Sequence, residues 1–286
     1  MSLFVCKDPE IVFIDITKLL HPKHSRPKGI DPNANIGDSV RLGNNVSIGP
    51  FTVIEEGSSI GDNTDIRSGA YIGRNVTIGK HCAIYPYAVI YDDVCIGDHV
   101  IVHSGAIIGA EGFGYKRRHD LLIKMPQIGA VVIEDNVEIG SNTCIDRGAY
   151  GNTYIKAGTK IDNLVQIGHN DHVGKNVIIC GQTGISGSCT IGDNATLAGN
   201  SGVADHVNIG NNAIILARSG VLNDIKENHI VFGTPAKDRR VAWREISTLS
   251  KLPELMKRIK MIEEQLETLG RAGENADGRE HRSTKT

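Results

Sequence analysis

The chain is poor in aromatic residues: Phe, Trp and Tyr make up 5% of its 286 positions, with a single Trp. That scarcity leaves little to fill a thick conventional core, whereas 33 glycines suit thin coils that turn tightly. An excess of charge of either sign is also lacking. With 31 basic and 33 acidic residues the net charge is −2, which argues against a general nucleic-acid binder. Cysteine pairs are missing too. Cys6, Cys82, Cys95, Cys144, Cys180 and Cys189 are scattered, with no Cys-x-x-Cys and no secretory prefix. They read as reduced, mostly packed residues of a cytosolic protein. No apolar run approaches the ~18 residues of a transmembrane helix, and Lys7, Asp8 and Glu10 interrupt the N-terminus before a signal-like core can form. The expected location is cytoplasmic, without stable membrane insertion.

What is present is a rhythm. From Ile36 and Leu42 to Val102 and Ile108 every sixth residue is aliphatic; the spacing resumes at Ile133, Ile139 and Ile145 and runs again from Ile155 to Val221. A six-residue period fits neither an α-helix nor a freely alternating strand. It fits an all-β solenoid, a parallel β-helix of hexapeptide repeats in which each hexad is one short strand plus a turn. The residue four after each aliphatic is small or β-branched, as in Val40, Val46, Thr52, Ser58, Thr64, Ala70 and Val76, because both positions must fit a narrow interior. Gly, Asp and Asn crowd the positions between (Gly43-Asn44-Asn45, Gly61-Asp62-Asn63, Gly192-Asp193-Asn194), where tight corners need positive φ. Three hexads make a turn, so residues about 18 apart stack in neighbouring coils. Roughly nine coils at ~4.8 Å spacing predict a prism about 43 Å tall. A chance run of isoleucine in a β-sandwich cannot hold the phase for so long.

Breaks in the rhythm divide the chain. Residues 1–30 precede the repeats and predict a short strand (Leu3 to Cys6), a helix (about Glu10 to Leu20) and a basic linker. The β-helix is expected over 31–235, with an external loop over 110–131 that carries Glu111-Gly112-Phe113-Gly114-Tyr115-Lys116-Arg117-Arg118. An insertion on one face of a solenoid is a usual place for binding residues. A smaller slip between Ile145 and Ile155 marks a bulge at Arg147 to Asn152. Beyond the repeats, helices are expected over 236–270, where Leu252, Leu255, Ile259, Ile262, Leu266 and Leu269 follow three-four spacing and Pro253 stands where a helix can begin. This seam packs on the chain's own prism or forms a bundle at the end of an oligomer. Residues 271–286, charged, small and aperiodic, predict a disordered tail.

A β-helix is only a scaffold, so chemistry must come from its surface. His169 follows the inward Ile167 by two residues and therefore faces outward. Counting along the repeat from His169 reaches Gly187 and then Asp205, next to His206. One edge thus stacks a base, a glycine N–H and a second histidine. That set suits acyl transfer: the imidazole takes a proton from an attacking amine or hydroxyl, the glycine N–H stabilises the oxyanion, and Asp162 is the candidate orienting carboxylate. The plainer alternative is a solvated corner histidine, one of eleven histidines in the chain. Metal binding is not expected, because His169-x-x-His172 and His99-x-x-x-His103 do not match the spacing of β-helical zinc sites. Cys180 and Cys189 lack a base in sequence and read as fillers.

The motifs Ile108-Gly109-Ala110-Glu111-Gly112-Phe113-Gly114-Tyr115, Met125-Pro126-Gln127-Ile128-Gly129, Cys144-Ile145-Asp146-Arg147-Gly148-Ala149 and Ile161-Asp162-Asn163 to Gln166-Ile167-Gly168-His169-Asn170 closely resemble, in order, the signatures of the UDP-3-O-acylglucosamine N-acyltransferase family of lipid A biosynthesis. The resemblance implies left-handed coils, a homotrimer, and active sites between neighbouring subunits. It implies His169 as general base, Asp162 as its supporting acid, Gly187 as oxyanion-binding glycine and His206 as the second histidine. Asn163, Gln166, Phe113 and Tyr115, within the same motifs, are the expected substrate-binding residues. It further implies a (3R)-hydroxyacyl donor on the phosphopantetheine of acyl carrier protein, with no other cofactor, and a UDP-amino sugar as acceptor. Arg239, Arg240 and Arg244 are the candidate carrier-docking residues, or else an ordinary solvated helix face. The family's uridine-binding N-terminal domain, about a hundred residues and thus of usual domain size, is matched here only by its final strand and helix. Competing expectations are a nucleotide-sugar acetyltransferase using acetyl-CoA and a non-catalytic β-helical subunit.

Overall fold

The computed structural model describes residues 5–21, 29–233 and 239–280 and divides into two units, 1–234 and 235–286. The first is a left-handed parallel β-helix whose three faces hold eleven, ten and nine strands. Most strands are two residues long and end on the sixth-residue aliphatic, as in Ser47–Ile48, Val53–Ile54 and Ser59–Ile60. Alternation along so short a strand puts one residue out and one in. On the second face Ile54 pairs with Ile72, Ile72 with Ile90 and Ile90 with Ile108, so the isoleucines form one buried column. The eleven strands of the longest face, at ~4.8 Å each, make the prism about 48 Å tall. It exceeds the expected height because Gly29–Ile30 and Ile230–Val231, outside the aliphatic run, still pair at the ends.

Most corners carry a left-handed residue. Asparagine often takes it, as at Asn45, Asn63 and Asn75 (φ 56°, 58° and 55°), but Phe51, Tyr87, Leu164 and His206 adopt it as well, at a cost of about 1 kcal/mol each. Corners are tied along the axis by a repeated device. The Asp62 carboxylate accepts from Asn44 N–H at 2.8 Å, Asp92 from Arg74 N–H at 2.9 Å and Asp193 from Lys175 N–H at 2.8 Å, each from the coil below. Inside, hydroxyls do the same: Thr64 Oγ1 accepts from Cys82 N–H (3.1 Å) and donates to Gly79 O (2.8 Å), and Thr159 Oγ1 accepts from Val177 N–H (3.1 Å) and donates to Gly174 O (2.8 Å).

The two breaks dock on one another. The insertion is not a plain loop but contains an antiparallel hairpin, Tyr115–Arg118 with Leu121–Lys124. Its return segment donates from Ile128 N–H to Ala149 O (2.8 Å) and from Gly129 N–H to Gly148 O (2.9 Å), so the bulge at 148–152 braces it. Arg147 pins the outgoing side, donating to Gly109 O at 2.8 Å and Asp92 O at 2.7 Å.

Before the prism, helix α1 (Pro9–Leu20) is capped by Asp8, which accepts from Ile11 N–H, and buries no side chain. The expected strand at Leu3 to Cys6 is not formed at Val5 and Cys6, and residues 1–4 lie outside the described residues. The second unit consists of α2 (Arg239–Leu249) and α3 (Leu252–Glu280). Helix α3 runs past Arg271, where the tail is expected to begin, to Glu280. The stretch holds no proline; residues 281–286 lie outside the described residues. Among the described residues no helix is long and apolar enough to cross a membrane.

Candidate active site

Three stacked turns, Gly168-His169-Asn170, Ser186-Gly187-Ser188 and Ala204-Asp205-His206, stand on the edge between the second and third faces. They form one wall of a groove of about 880 Å³, and Glu111, Gly112, Phe113 and Tyr115 of the insertion form the other. The sequence repeat alone places the turns above one another. The insertion closes the groove because the bulge holds its return segment.

The tautomer of His169 can be read from its neighbours. Ala149 N–H donates to Asn170 Oδ1 at 2.9 Å, which fixes that atom as oxygen. The same oxygen lies 3.1 Å from His169 Nδ1, so Nδ1 carries the hydrogen and Nε2 presents its lone pair to the groove. Asn170 is itself held by its N–H to Thr153 Oγ1 at 2.9 Å. The ring is clasped by two glycines: a Cβ on Gly112 would come within 2.6 Å of His169 Cβ, and one on Gly187 within 2.7 Å of Cε1 and Nε2. Any side chain at either position displaces the imidazole.

Gly187 N–H has no hydrogen-bond acceptor among the described residues. At Asn44, Arg74, Lys80 and Lys175 a carboxylate of the next coil caps this turn position; here Asp205 stands in that place and makes no such bond. Gly187 itself lines the groove, and its would-be Cβ would lie 2.7 Å from His169 Nε2. His206 sits one coil above, tied by its N–H to Gly187 O at 3.2 Å, with its side chain exposed and lining the groove.

Other expected residues divide. Gln166 lines the groove, and Phe113 and Tyr115 form its rim with ring centroids 5.1 Å apart. Glu111 and Lys124 make an ion pair beside them. Asp162 does not reach His169 within one chain. It lies at the preceding corner of the same coil, where its carboxylate accepts from Asn163 N–H (2.7 Å) and Gly181 N–H (3.0 Å). Asn163 caps Ser141 N–H at 2.7 Å there, and both line a separate cleft with His103, Glu138 and Lys160. The reason is topological: seven residues advance the chain past one full hexad to the next edge. The carboxylate beside His169 is Asp146; burial raises its pKa, against a hydrogen bond from Gln166 and the nearness of the imidazole. His172 points out of the third face against Tyr154, and His99 stacks on His81. Arg239, Arg240 and Arg244 are exposed on α2 in the second unit.

A column of glycines rises above Gln166. On the second face Gln166 pairs with Gly184, Gly184 with Gly202 and Gly202 with Gly220. A Cβ at any of the three glycines would meet nothing within 4 Å. The groove therefore continues upward from His169 over bare backbone. The signal was legible as glycines recurring at the coil period.

The chain is 51% identical over 271 residues to UDP-3-O-acylglucosamine N-acyltransferase 1 of Legionella pneumophila (strain Paris), covering 94% of this chain and 77% of that one. It is 52% identical over 264 residues to the UDP-3-O-acylglucosamine N-acyltransferase of Methylacidiphilum infernorum (isolate V4), with coverages of 92% and 75%. The chain belongs to the UDP-3-O-acylglucosamine N-acyltransferase family. It is thus an acyltransferase. Residues 39–74, 51–84 and 75–110 match the bacterial transferase hexapeptide model. Among solved structures the chain resembles the UDP-N-acetylglucosamine acyltransferases of Arabidopsis (25% identity, TM-score 0.66, covering 72% of this chain and 71% of that one) and Bacteroides fragilis (25%, 0.58, 76% and 77%).

Proposed function

We propose that this acyltransferase moves a (3R)-hydroxyacyl chain from acyl carrier protein to the 2-amino group of UDP-3-O-acylglucosamine. The observation that carries the reading is His169 Nε2 packed against Gly187, whose N–H is uncapped, at the foot of a glycine-floored groove. His169 takes a proton from the amine as its nitrogen bonds to the thioester carbonyl. The carbonyl oxygen gathers negative charge and receives the Gly187 N–H. Collapse breaks the carbon–sulfur bond, and the imidazolium returns its proton to the leaving thiolate. No acyl-enzyme forms. The donor's phosphopantetheine brings the thioester past His206, and no further cofactor takes part. The exposed arginines of α2 suit an acidic carrier protein.

The test follows thiol release from 3-hydroxyacyl carrier protein by the purified chain. Release that requires the UDP-amino sugar supports the reading. Release from acetyl-CoA with no response to the long-chain carrier redirects it to an acetyltransferase, and no release from either donor points to a scaffold.

The family resemblance implies a trimer, which gives Asp162 a role. In a threefold assembly with parallel prisms, residues of one coil share one height, so Asp162 of a neighbouring copy can face His169. Asp162→Ala and His169→Ala chains should each be inactive alone. Mixed in equal amounts during assembly, they should recover about a quarter of wild-type turnover, the share of sites receiving both intact groups from different copies. No recovery in mixed trimers would place Asp162 outside the site.

A further inference from the structure

Asp171 is the single charged residue among the buried polar side chains of the described prism, with 0% exposure. It occupies the inward position four residues after Ile167. Elsewhere this place is taken by Val, Ala, Cys, Ser or Thr, as at Val165, Val177, Thr159 and Thr183. The prism's own repeats therefore set an expectation that one residue breaks. The exception lies behind the turn that carries His169.

Its two oxygens join the two turns of the site. Oδ2 accepts from Gly168 N–H at 3.0 Å, a hydrogen shared with Ile185 O, and Oδ1 accepts from Cys189 N–H at 2.8 Å in the coil above. Gly168 immediately precedes His169, and Cys189 follows Gly187 by two residues. A threonine hydroxyl at this position makes the upper bond, as Thr64 and Thr159 do, but not the lower one to its own turn. The carboxyl's extra reach thus ties the backbone before the imidazole to the backbone after the glycine N–H.

We infer that Asp171 is a positioning residue that sets the separation between His169 Nε2 and Gly187 N–H. The inference rests on the acyl-transfer reading of this edge. Stability alone gives no reason for it, because burying a carboxyl among Val and Ile side chains is unfavourable. Burial pushes its pKa up to about 8, with Asp146 the charged group that adds to the rise.

The test replaces Asp171 with Thr and with Val, the residues the repeat uses elsewhere, and measures kcat, KM and thermal stability as a function of pH. The expected result is a fall in kcat of at least about tenfold, near 1.4 kcal/mol, with KM unchanged. Stability should equal or exceed wild type, since the substitutions remove a buried acid. The sign follows from linkage: the native carboxyl keeps its proton between the ordinary carboxylate range and about pH 8, where the unfolded one has lost it. Wild-type stability therefore falls relative to Asp171→Thr as pH rises across that window, then runs parallel. Thr159→Val, distant from the groove, should alter stability and leave kcat alone. Unchanged kcat in both Asp171 variants, while His169→Ala is inactive, overturns the inference and leaves the acyl-transfer reading standing. Loss of folding in both overturns it too, since Asp171 would then be structural. An active His169→Ala chain overturns the underlying reading instead.

Discussion

His169→Ala is expected to lower turnover by roughly 10²–10⁴-fold, the usual worth of a positioned general acid–base, without loosening the coils. The side chain is only half-buried, and its ring bonds to Asn170 rather than to the core. Removing it leaves the column of Ile145, Ile167 and Ile185 intact. Two readouts separate loss of a base from loss of a binding contact. KM for the donor should change little while kcat collapses, because the imidazole acts on charge that develops in the transition state. A thermal transition within a few degrees of wild type should accompany it. Turnover within about threefold of wild type would remove His169 from the mechanism, since that corresponds to under 1 kcal/mol of barrier.

A variant that spares His169 but disturbs its tautomer sharpens the same point. The hydrogen on Nδ1 is dictated by Asn170, whose oxygen is in turn dictated by Ala149 N–H. Ala149 belongs to the bulge, and the bulge also holds the return segment of the insertion. The two departures from the hexad rhythm are thus one device, which orients the base and walls the groove together.

That linkage also shows which parts of the site the sequence could reveal. The six-residue period makes the coil, its inward column and the stacking of His169, Gly187 and His206 predictable, because a solenoid converts sequence distance into spatial distance with one constant. Contacts that leave the axial direction escape the constant. Asp162 is close to His169 in sequence and lies one corner away in space. Asp146 is distant in sequence and lies at the groove's foot, because the strand Cys144–Arg147 pairs beneath Gln166–Ile167. The role of Asn170 depends on Ala149 reaching it from the bulge, and bulge geometry has no period.

The glycine column gives the other large expectation. Gly184, Gly202 and Gly220 lie in strands rather than at corners and are not among the left-handed glycines of the chain. Other residues fit their backbone, and glycine inside a strand is destabilising by about 0.5–1 kcal/mol relative to alanine. With open space at each missing Cβ, a leucine at Gly202 should fold as well as wild type or better. What it removes is the bare floor above His169, where an acyl chain extending from the thioester would lie. Each methylene displaced from apolar surface forfeits about 0.8 kcal/mol, so a donor losing four of them should fall by about two orders of magnitude in kcat/KM. Short donors should be untouched. Gly220→Leu, one coil further from His169, should spare intermediate chains and penalise only the longest. Measured against a series of acyl carrier thioesters, the two variants should therefore cut the profile at different lengths, Gly202→Leu at the shorter. An equal loss across all lengths would mean that the leucine disturbs the imidazole or the thioester itself, and an unchanged profile would mean that the chain leaves the groove by another face.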